Sequence, residues 1–181
     1  MRQIRKLVNN ASYHVIARIN RQEYIFNSQF VKNLFLLVVS TAKKKYRFTL
    51  RNFCIMGNHI HFIIFPHAQE NLSKIMQWIL SVFARRYNII FKLKGHVWYD
   101  RFKSKIIYSL RQYLKTFEYI TNNPVIAGIV KSPELYKYNG IWFMNNGFYN
   151  IVNPPDLIVK LYFPDFFFTT LLLEQKSINS N

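Results

Sequence analysis

Two histidines stand two residues apart in the apolar run Cys54-Ile55-Met56-Gly57-Asn58-His59-Ile60-His61-Phe62. Side chains on a strand alternate faces, so His59 and His61 share one side and Ile60, Phe62 and Ile64 the other. Two imidazoles placed this way can hold one divalent metal ion, or a phosphate when protonated. The alternative is a plain pair of histidines on the wet face of a half-buried strand. A second constellation lies downstream, in a stretch with helical spacing. Leu110, Tyr113, Leu114, Phe117, Ile120 and Thr121 form one stripe at ~100° per residue. Tyr119 falls opposite that stripe, with Asn123 one turn beyond it. The helix does not need Tyr119 for its own core, so this tyrosine and amide can serve a site. The competing reading is a surface tyrosine, or one packed on another element.

The chain around these residues is strongly basic. Lys and Arg number 25 against eight Asp and Glu in 181 residues, a formal net charge of +17. Such an excess implies a polyanionic partner, nucleic acid first and an anionic membrane surface second. An AT-rich coding sequence would enrich Lys, but it does not explain the scarcity of acidic residues. The single cysteine, Cys54, excludes an internal disulfide and reads as packing. Five Gly and six Pro, with half the residues hydrophobic, argue against disorder and for a sizeable core. Leu34 to Val39 is too short to cross a bilayer, and the 158–173 region is interrupted by Lys160, Pro164 and Asp165. The basic N-terminus is followed by no apolar signal core. The expectation is a soluble cytoplasmic protein of one domain.

The elements that must position these residues can be read in order. Tyr13 to Ile19 is a strand, rich in β-branched and aromatic residues. Asn27 or Ser28 caps a helix to about Lys45, with Phe30, Leu34, Leu37, Val38 and Thr41 as its apolar stripe. Tyr46 to Met56 is a second strand and His59 to Phe65 a third. Asn71 or Ser73 starts a long helix with Leu72, Ile75, Met76, Ile79, Leu80 and Phe83 at helical spacing, and Gly95 stops the segment. His96 to Ile107 is a fourth strand. Ser109 to Asn123 is a helix stopped by Pro124. The rest reads as irregular, with turns at Asn139-Gly140 and Asn146-Gly147 and a short helix after Asp156. The order predicts an α+β sandwich, an antiparallel sheet with helices packed on it, close to the split βαβ, ferredoxin-like plan.

Three segments bear a family resemblance. Cys54 to Phe62 is similar to a histidine-hydrophobic-histidine strand. Gly95-His96-Val97-Trp98-Tyr99-Asp100-Arg101-Phe102-Lys103-Ser104 is similar to a basic strand leading into a tyrosine helix. Glu118-Tyr119-Ile120-Thr121-Asn122-Asn123-Pro124-Val125-Ile126-Ala127-Gly128 is similar to a tyrosine-isoleucine-x-x-asparagine-proline motif. Tyr13-His14-Val15 with Arg18 fits the opening strand, and Phe83, Arg86, Tyr87 and Asn88 the second helix. Together, over about residues 10 to 135, the chain resembles the REP-associated tyrosine transposases, IS200-like members of the single-tyrosine HUH superfamily. Gly57 stands where the family has proline, which predicts a looser turn. Ile126 stands where an arginine is common. The tail after about Asn145 matches only loosely.

The resemblance implies an HUH-type catalytic domain over 1–135 and a C-terminal extension over 136–181 packed on it. It implies a transposase that cleaves and rejoins single-stranded, hairpin-flanked DNA through a covalent 5′-phosphotyrosine. Tyr119 is then the nucleophile, and His59, His61 and Asn123 hold Mg²⁺ or Mn²⁺. Phenols ionise near pH ~10, so a tyrosine nucleophile needs a metal ion or a base beside it. Imidazole ligands favour manganese over magnesium. Arg18, Arg85, Arg86, Lys92, Arg101, Lys103 and Lys105 are expected to hold the DNA backbone, with Lys94 beside them. Tyr87, Phe91 and Trp98 are expected to stack on unpaired bases. Monomer and homodimer both stay open. So do two other functions on the same surface: a catalytically silent hairpin DNA- or RNA-binding protein, and a metal-dependent nuclease that uses water.

Overall fold

Four strands and three long helices alternate as β1 (Ser12–Arg18), α1 (Gln29–Lys45), β2 (Phe48–Ile55), β3 (His59–Pro66), α2 (Leu72–Phe91), β4 (Lys103–Ile107) and α3 (Leu110–Ile126). Short helices α4 (Gly140–Asn145) and α5 (Leu157–Tyr162) follow. The computed structural model describes residue 8 and residues 10–167. The basic N-terminal run and the last part of the aromatic tail, residues 168–181, lie outside the described residues.

The sheet has the order β2-β3-β1-β4, and every neighbouring pair is antiparallel. Two β-α-β units therefore interleave, with β3 between β1 and β2 and β1 between β3 and β4. Right-handed crossovers place both connecting helices on one face, and this is the split βαβ plan. On that face Val15, Ala17, Ile60, Phe62 and Ile64 are buried under α1 and α2. Phe35 of α1 lies 6.1 Å from Phe62 and 5.2 Å from Phe83 of α2, ring centre to ring centre. The opposite face is left for α3, and it carries the histidines.

Local chemistry explains the boundaries. Ser28 accepts from the Val31 amide and caps α1, Asn71 accepts from Ser73 and Lys74 and caps α2, and Ser109 accepts from Gln112 and caps α3. The apolar face of α2 is the one its sequence predicts.

Other boundaries and faces differ from the sequence reading. The sheet-facing stripe of α1 is Val31, Phe35, Val38, Val39 and Ala42, while Phe30 and Leu37 are exposed. The helix is apolar on two sides, and the aromatic cluster of Phe26, Phe83 and Trp98 selects the side bearing Phe35. β4 is only five residues long; residues 95–102 form a loop that touches β1 through the Ile19–Trp98 bridge. Helix α3 runs through Pro124 to Ile126. A proline so near the end costs one helix bond, and Pro124 is itself buried. Asn139-Gly140 starts α4, with Asn139 accepting from the Trp142 amide.

Gly57 does not loosen its turn. A Cβ there would lie 2.7 Å from Tyr24 Cδ1 and 2.8 Å from Asn27 Oδ1. The bare backbone lets residues 24–27 close over it, and the Phe26 amide donates to the Gly57 carbonyl.

The segment after α3 is more regular than its sequence suggests. Ile55 donates to the Tyr138 carbonyl, and Leu50 exchanges bonds with Asn153. These contacts cover the outer edge of β2, which would otherwise offer open backbone groups. Lys32 sits over the Tyr136 and Tyr138 rings, and Lys43 donates to Ile151 O and Asn153 Oδ1.

Candidate active site

The antiparallel register sets the first layer of the site. His14 lies opposite Ile63, Ile16 opposite His61 and Arg18 opposite His59. His14, Arg18, His59 and His61 therefore share one face. On the other side of β1, His14 pairs with Lys105 and Ile16 with Lys103, which adds two cations to the same face.

His14 was not among the residues expected at the site. Its Nε2 lies 3.0 Å from His61 Nδ1, and the two rings lie end to end with centres 5.3 Å apart and planes 25° apart. The sequence signal was present: period-2 alternation puts His14, Ile16 and Arg18 on one face of β1. Only the strand pairing shows that this is the face of His61.

Each remaining imidazole nitrogen has a defined environment. His59 Nδ1 is 2.7 Å from Asn58 Oδ1. A carbonyl oxygen only accepts, so His59 carries its proton on Nδ1 and its lone pair on Nε2. His61 is 2 % exposed, and its Nε2 is buried without a partner among the described residues. Such an orphaned polar atom calls for an explanation. Burial, followed by the charges of His59, His14 and Arg18, pushes His61 down to about 3. Burial and then Lys105 push His14 down to about 4, and burial with Arg18 lowers His59. All three are neutral at neutral pH, with lone pairs intact.

A stability effect follows from these shifts. Below pH 6.5 the unfolded chain takes up protons that the folded chain refuses, so stability falls as pH drops from about 6.5 toward about 3. The urea midpoint at pH 5 should lie below that at pH 7. A midpoint unchanged across this range would contradict the burial of His14 and His61 as neutral rings.

The second layer comes from α3. β2 carries a bulge: Leu50 lies opposite Ile64 but Asn52 opposite Ile63, so Arg51 is an extra residue. The bulge turns Asn52 onto the α3 face. There, fully buried, Asn52 Nδ2 donates to Phe117 O at 3.1 Å and Thr121 Oγ1 at 2.9 Å. Its Oδ1 accepts from the Phe53 amide. Gly140 packs directly on this residue, since a Cβ there would meet Asn52 Oδ1 at 2.3 Å. Arg51 pairs with Asp156, which also accepts from Tyr113 Oη on α3.

Held this way, α3 presents Tyr119 to the histidines. The Tyr119 ring is edge-on to His61 at 5.6 Å and to His14 at 6.0 Å, yet remains 47 % exposed. Asn123 donates from Nδ2 to the Tyr119 carbonyl one turn back. Arg111, Lys115 and Tyr119 recur at intervals of four, so they form one stripe. With His14, Gln112 and Thr116 they line a cleft of about 320 Å³ between β1 and α3. The sequence reading missed Arg111 and Lys115, although their spacing from Tyr119 was visible.

The expected DNA-contacting residues divide between the two layers. Arg18, Lys103 and Lys105 lie on the histidine face. Arg85, Arg86, Tyr87 and Lys92 belong to α2 and its C-cap, in the opposite layer. Arg101 is exposed in the loop before β4. Tyr87 is flanked by Phe83 and Phe91. Trp98, expected to stack on bases, is instead packed against Phe26, Phe35 and Phe83, and its indole N–H donates to Leu80 O at 2.9 Å. Among the described residues no helix is long and apolar enough to cross a membrane.

Comparison with known proteins agrees with this geometry. No curated protein sequence matches the chain. A solved structure of a REP-associated tyrosine transposase bound to a REP hairpin superimposes with a TM-score of 0.68 at 20% identity, over 87% of this chain and 93% of that one. A protein from Deinococcus radiodurans, described as a candidate transposase, matches with a TM-score of 0.45 at 16% identity, over 67% of this chain and 97% of that one. The first shows a shared fold. The profile of the IS200-like transposases matches residues 7–123, more than half of the sequence, including all of β1 and β3 and α3 as far as Asn123. This chain belongs to the IS200-like transposase family.

Proposed function

We propose that this transposase cleaves and rejoins single-stranded DNA through a covalent 5′-phosphotyrosine on Tyr119, with Mg²⁺ or Mn²⁺ held by His59 and His61. One observation carries the reading. A half-exposed tyrosine ring sits edge-on to His61, whose buried Nε2 has no partner among the described residues. The donor set fits a divalent cation, because two neutral imidazoles on one strand face offer lone pairs. Among the described residues no group of three or more His, Cys, Asp or Glu could hold a metal ion. Further donors must therefore come from an amide, from DNA and from water. Asn123 is the amide we assign; its Nδ2 is tied to the helix, which leaves Oδ1 for the cation.

When bound, the cation polarises the scissile phosphate and stabilises the leaving oxygen. Tyr119 Oη attacks phosphorus; the P–Oη bond forms, the P–O3′ bond breaks and the phenol proton is lost. The departing 3′-oxygen takes up a proton. A 3′-hydroxyl attacking the phosphotyrosine reverses these changes, so rejoining needs no ATP. The tyrosine and histidines meet within one chain, which supports cleavage in cis by a monomer; exchange of α3 within a homodimer is the alternative.

The substrate class follows from charge and from the relative that binds a REP hairpin. Arg111 and Lys115 hold the strand that approaches Tyr119, with Arg18, Lys103 and Lys105 across the cleft. Arg85, Arg86, Lys92 and Arg101 serve a more distant part of the hairpin. We assign residues 1–135 to the catalytic domain and 136–181 to an extension, whose described residues Tyr138, Ile151 and Asn153 bond to β2 and α1. Replacing Arg111 and Lys115 by Ala should weaken binding and reduce the slope of log K against log salt by about 1–2. An unchanged slope would remove both residues from the DNA path.

The direct test incubates the protein with labelled hairpin-flanked single-stranded DNA and Mn²⁺, then denatures it. A protein–DNA adduct that survives denaturation supports the reading. Binding without cleavage supports a silent hairpin-binding protein, and cleavage without an adduct supports a nuclease that uses water.

A further inference from the structure

The two strand histidines are held by different devices. Asn58 accepts from His59 Nδ1 and so directs the His59 lone pair to Nε2. Among the described residues, the hydrogen-bond partner of His61 Nδ1 is another histidine, His14. We infer that His14 is a positioning residue: its Nε2 accepts the Nδ1 proton of His61 and keeps the His61 Nε2 lone pair turned toward the cation. The inference rests on the metal reading above.

One proton lies between His14 Nε2 and His61 Nδ1. If His14 supplied it, His61 would have its own proton on Nε2. That N–H would be buried with no acceptor, a costly arrangement, and it could bind no cation. If His61 supplies it, Nε2 is a lone pair and the orphaned atom is explained. The rings lie end to end and only 25° from coplanar, with centres 5.3 Å apart, so the in-plane Nδ1–H points at the His14 lone pair and the bond resists rotation of His61 about Cβ–Cγ.

The choice of a histidine has an electrostatic consequence. Metal-bound histidines commonly donate their second N–H to a carboxylate, a backbone carbonyl or water. A carboxylate would add negative charge beside a site that must accept a DNA phosphate. His14 is a neutral acceptor. Lys105, opposite it on β4, and Arg18 disfavour any further positive charge on the pair. The cation is left with its full charge to act on the phosphate.

Two measurements test this. The first is a two-bond ¹H–¹⁵N spectrum of the metal-free protein at neutral pH. It should show His61 protonated on Nδ1 and bare on Nε2; the reverse tautomer overturns the inference. The second is Mn²⁺ binding followed by loss of the free-ion EPR signal. His14→Phe keeps an aromatic ring of similar size but no acceptor, and should weaken Mn²⁺ binding about 10- to 100-fold. His14→Gln, whose Oε1 can accept, should recover part of the loss. His59→Ala is the control for the parent reading. If it leaves Mn²⁺ affinity unchanged, the metal site itself is misplaced. If it abolishes binding while His14→Phe binds like the parent protein, the role of His14 alone is overturned.

Discussion

Tyr119→Phe should abolish the covalent DNA adduct and leave hairpin binding within about twofold. The substitution removes only the phenol oxygen. The aromatic ring that lies edge-on to His61 and His14 is retained. Tyr119 is 47 % exposed, so little of the core depends on its side chain. Stability should change by no more than about 0.5 kcal/mol, the usual range for surface substitutions. Strand cleavage should drop by at least about 10⁴-fold, the scale of loss when a covalent nucleophile is removed, because in the proposed reaction the Tyr119 phenol oxygen takes the phosphoryl group. Quantifying adduct and cleaved strand on a denaturing gel separates the outcomes. Cleavage that persists in the variant would show that water is the nucleophile. Mixing Tyr119→Phe with His59→Ala protein adds a test of the cis arrangement. Neither contains a whole site, so activity restored on mixing would require α3 to be exchanged between chains.

The parts of this site differ in how visible they were in the sequence. His59 and His61 were legible because β-periodicity alone puts them on one face. Tyr119 and Asn123 were legible because helical periodicity takes them off the apolar stripe. The sheet class followed from element order, since interleaved β-α-β units leave few ways to pair. His14 was not legible as a site residue. Its partner is 47 positions away, and only the β1–β3 register joins them. Asn52 was hidden for a related reason. Strict alternation from Leu50 would put Asn52 on the α1–α2 face, and the bulge at Arg51 reverses it. The inward face of α1 was misassigned because apolar residues occupy two of its sides, and aromatic packing decided between them. Gly57 and Gly140 were read as turn residues, whereas each is small to admit a neighbour: Tyr24 in one case, Asn52 in the other.

Asn52→Ala should be among the most destabilising single changes in the described fold and should also impair cleavage. Asn52 is fully buried, and its amide makes three hydrogen bonds, two of them to α3. Removing it leaves the Phe53 amide without its acceptor and the Phe117 carbonyl without this donor. It also leaves a cavity beneath Gly140. A buried group stripped of its partner costs about 1–3 kcal/mol, and the cavity adds to this, so a loss of about 2–4 kcal/mol is expected. Asn52→Asp separates the donor role from packing. The carboxylate fills the same volume and still accepts from Phe53, but it cannot donate to Phe117 O and it buries a charge. It should be at least as damaging as Ala. Urea midpoints measure the stability loss. Adduct formation, corrected for the folded fraction, measures how far Tyr119 has moved from the histidines. If Asp were tolerated while Ala was not, Asn52 would matter for its volume and not for its bonds to α3. If adduct formation fell only in proportion to the folded fraction, the bulge would stabilise the sheet without positioning the tyrosine. The expected result is a loss in both, because the side chain that fills this part of the core is also the one that ties the helix of Tyr119 to the histidine face.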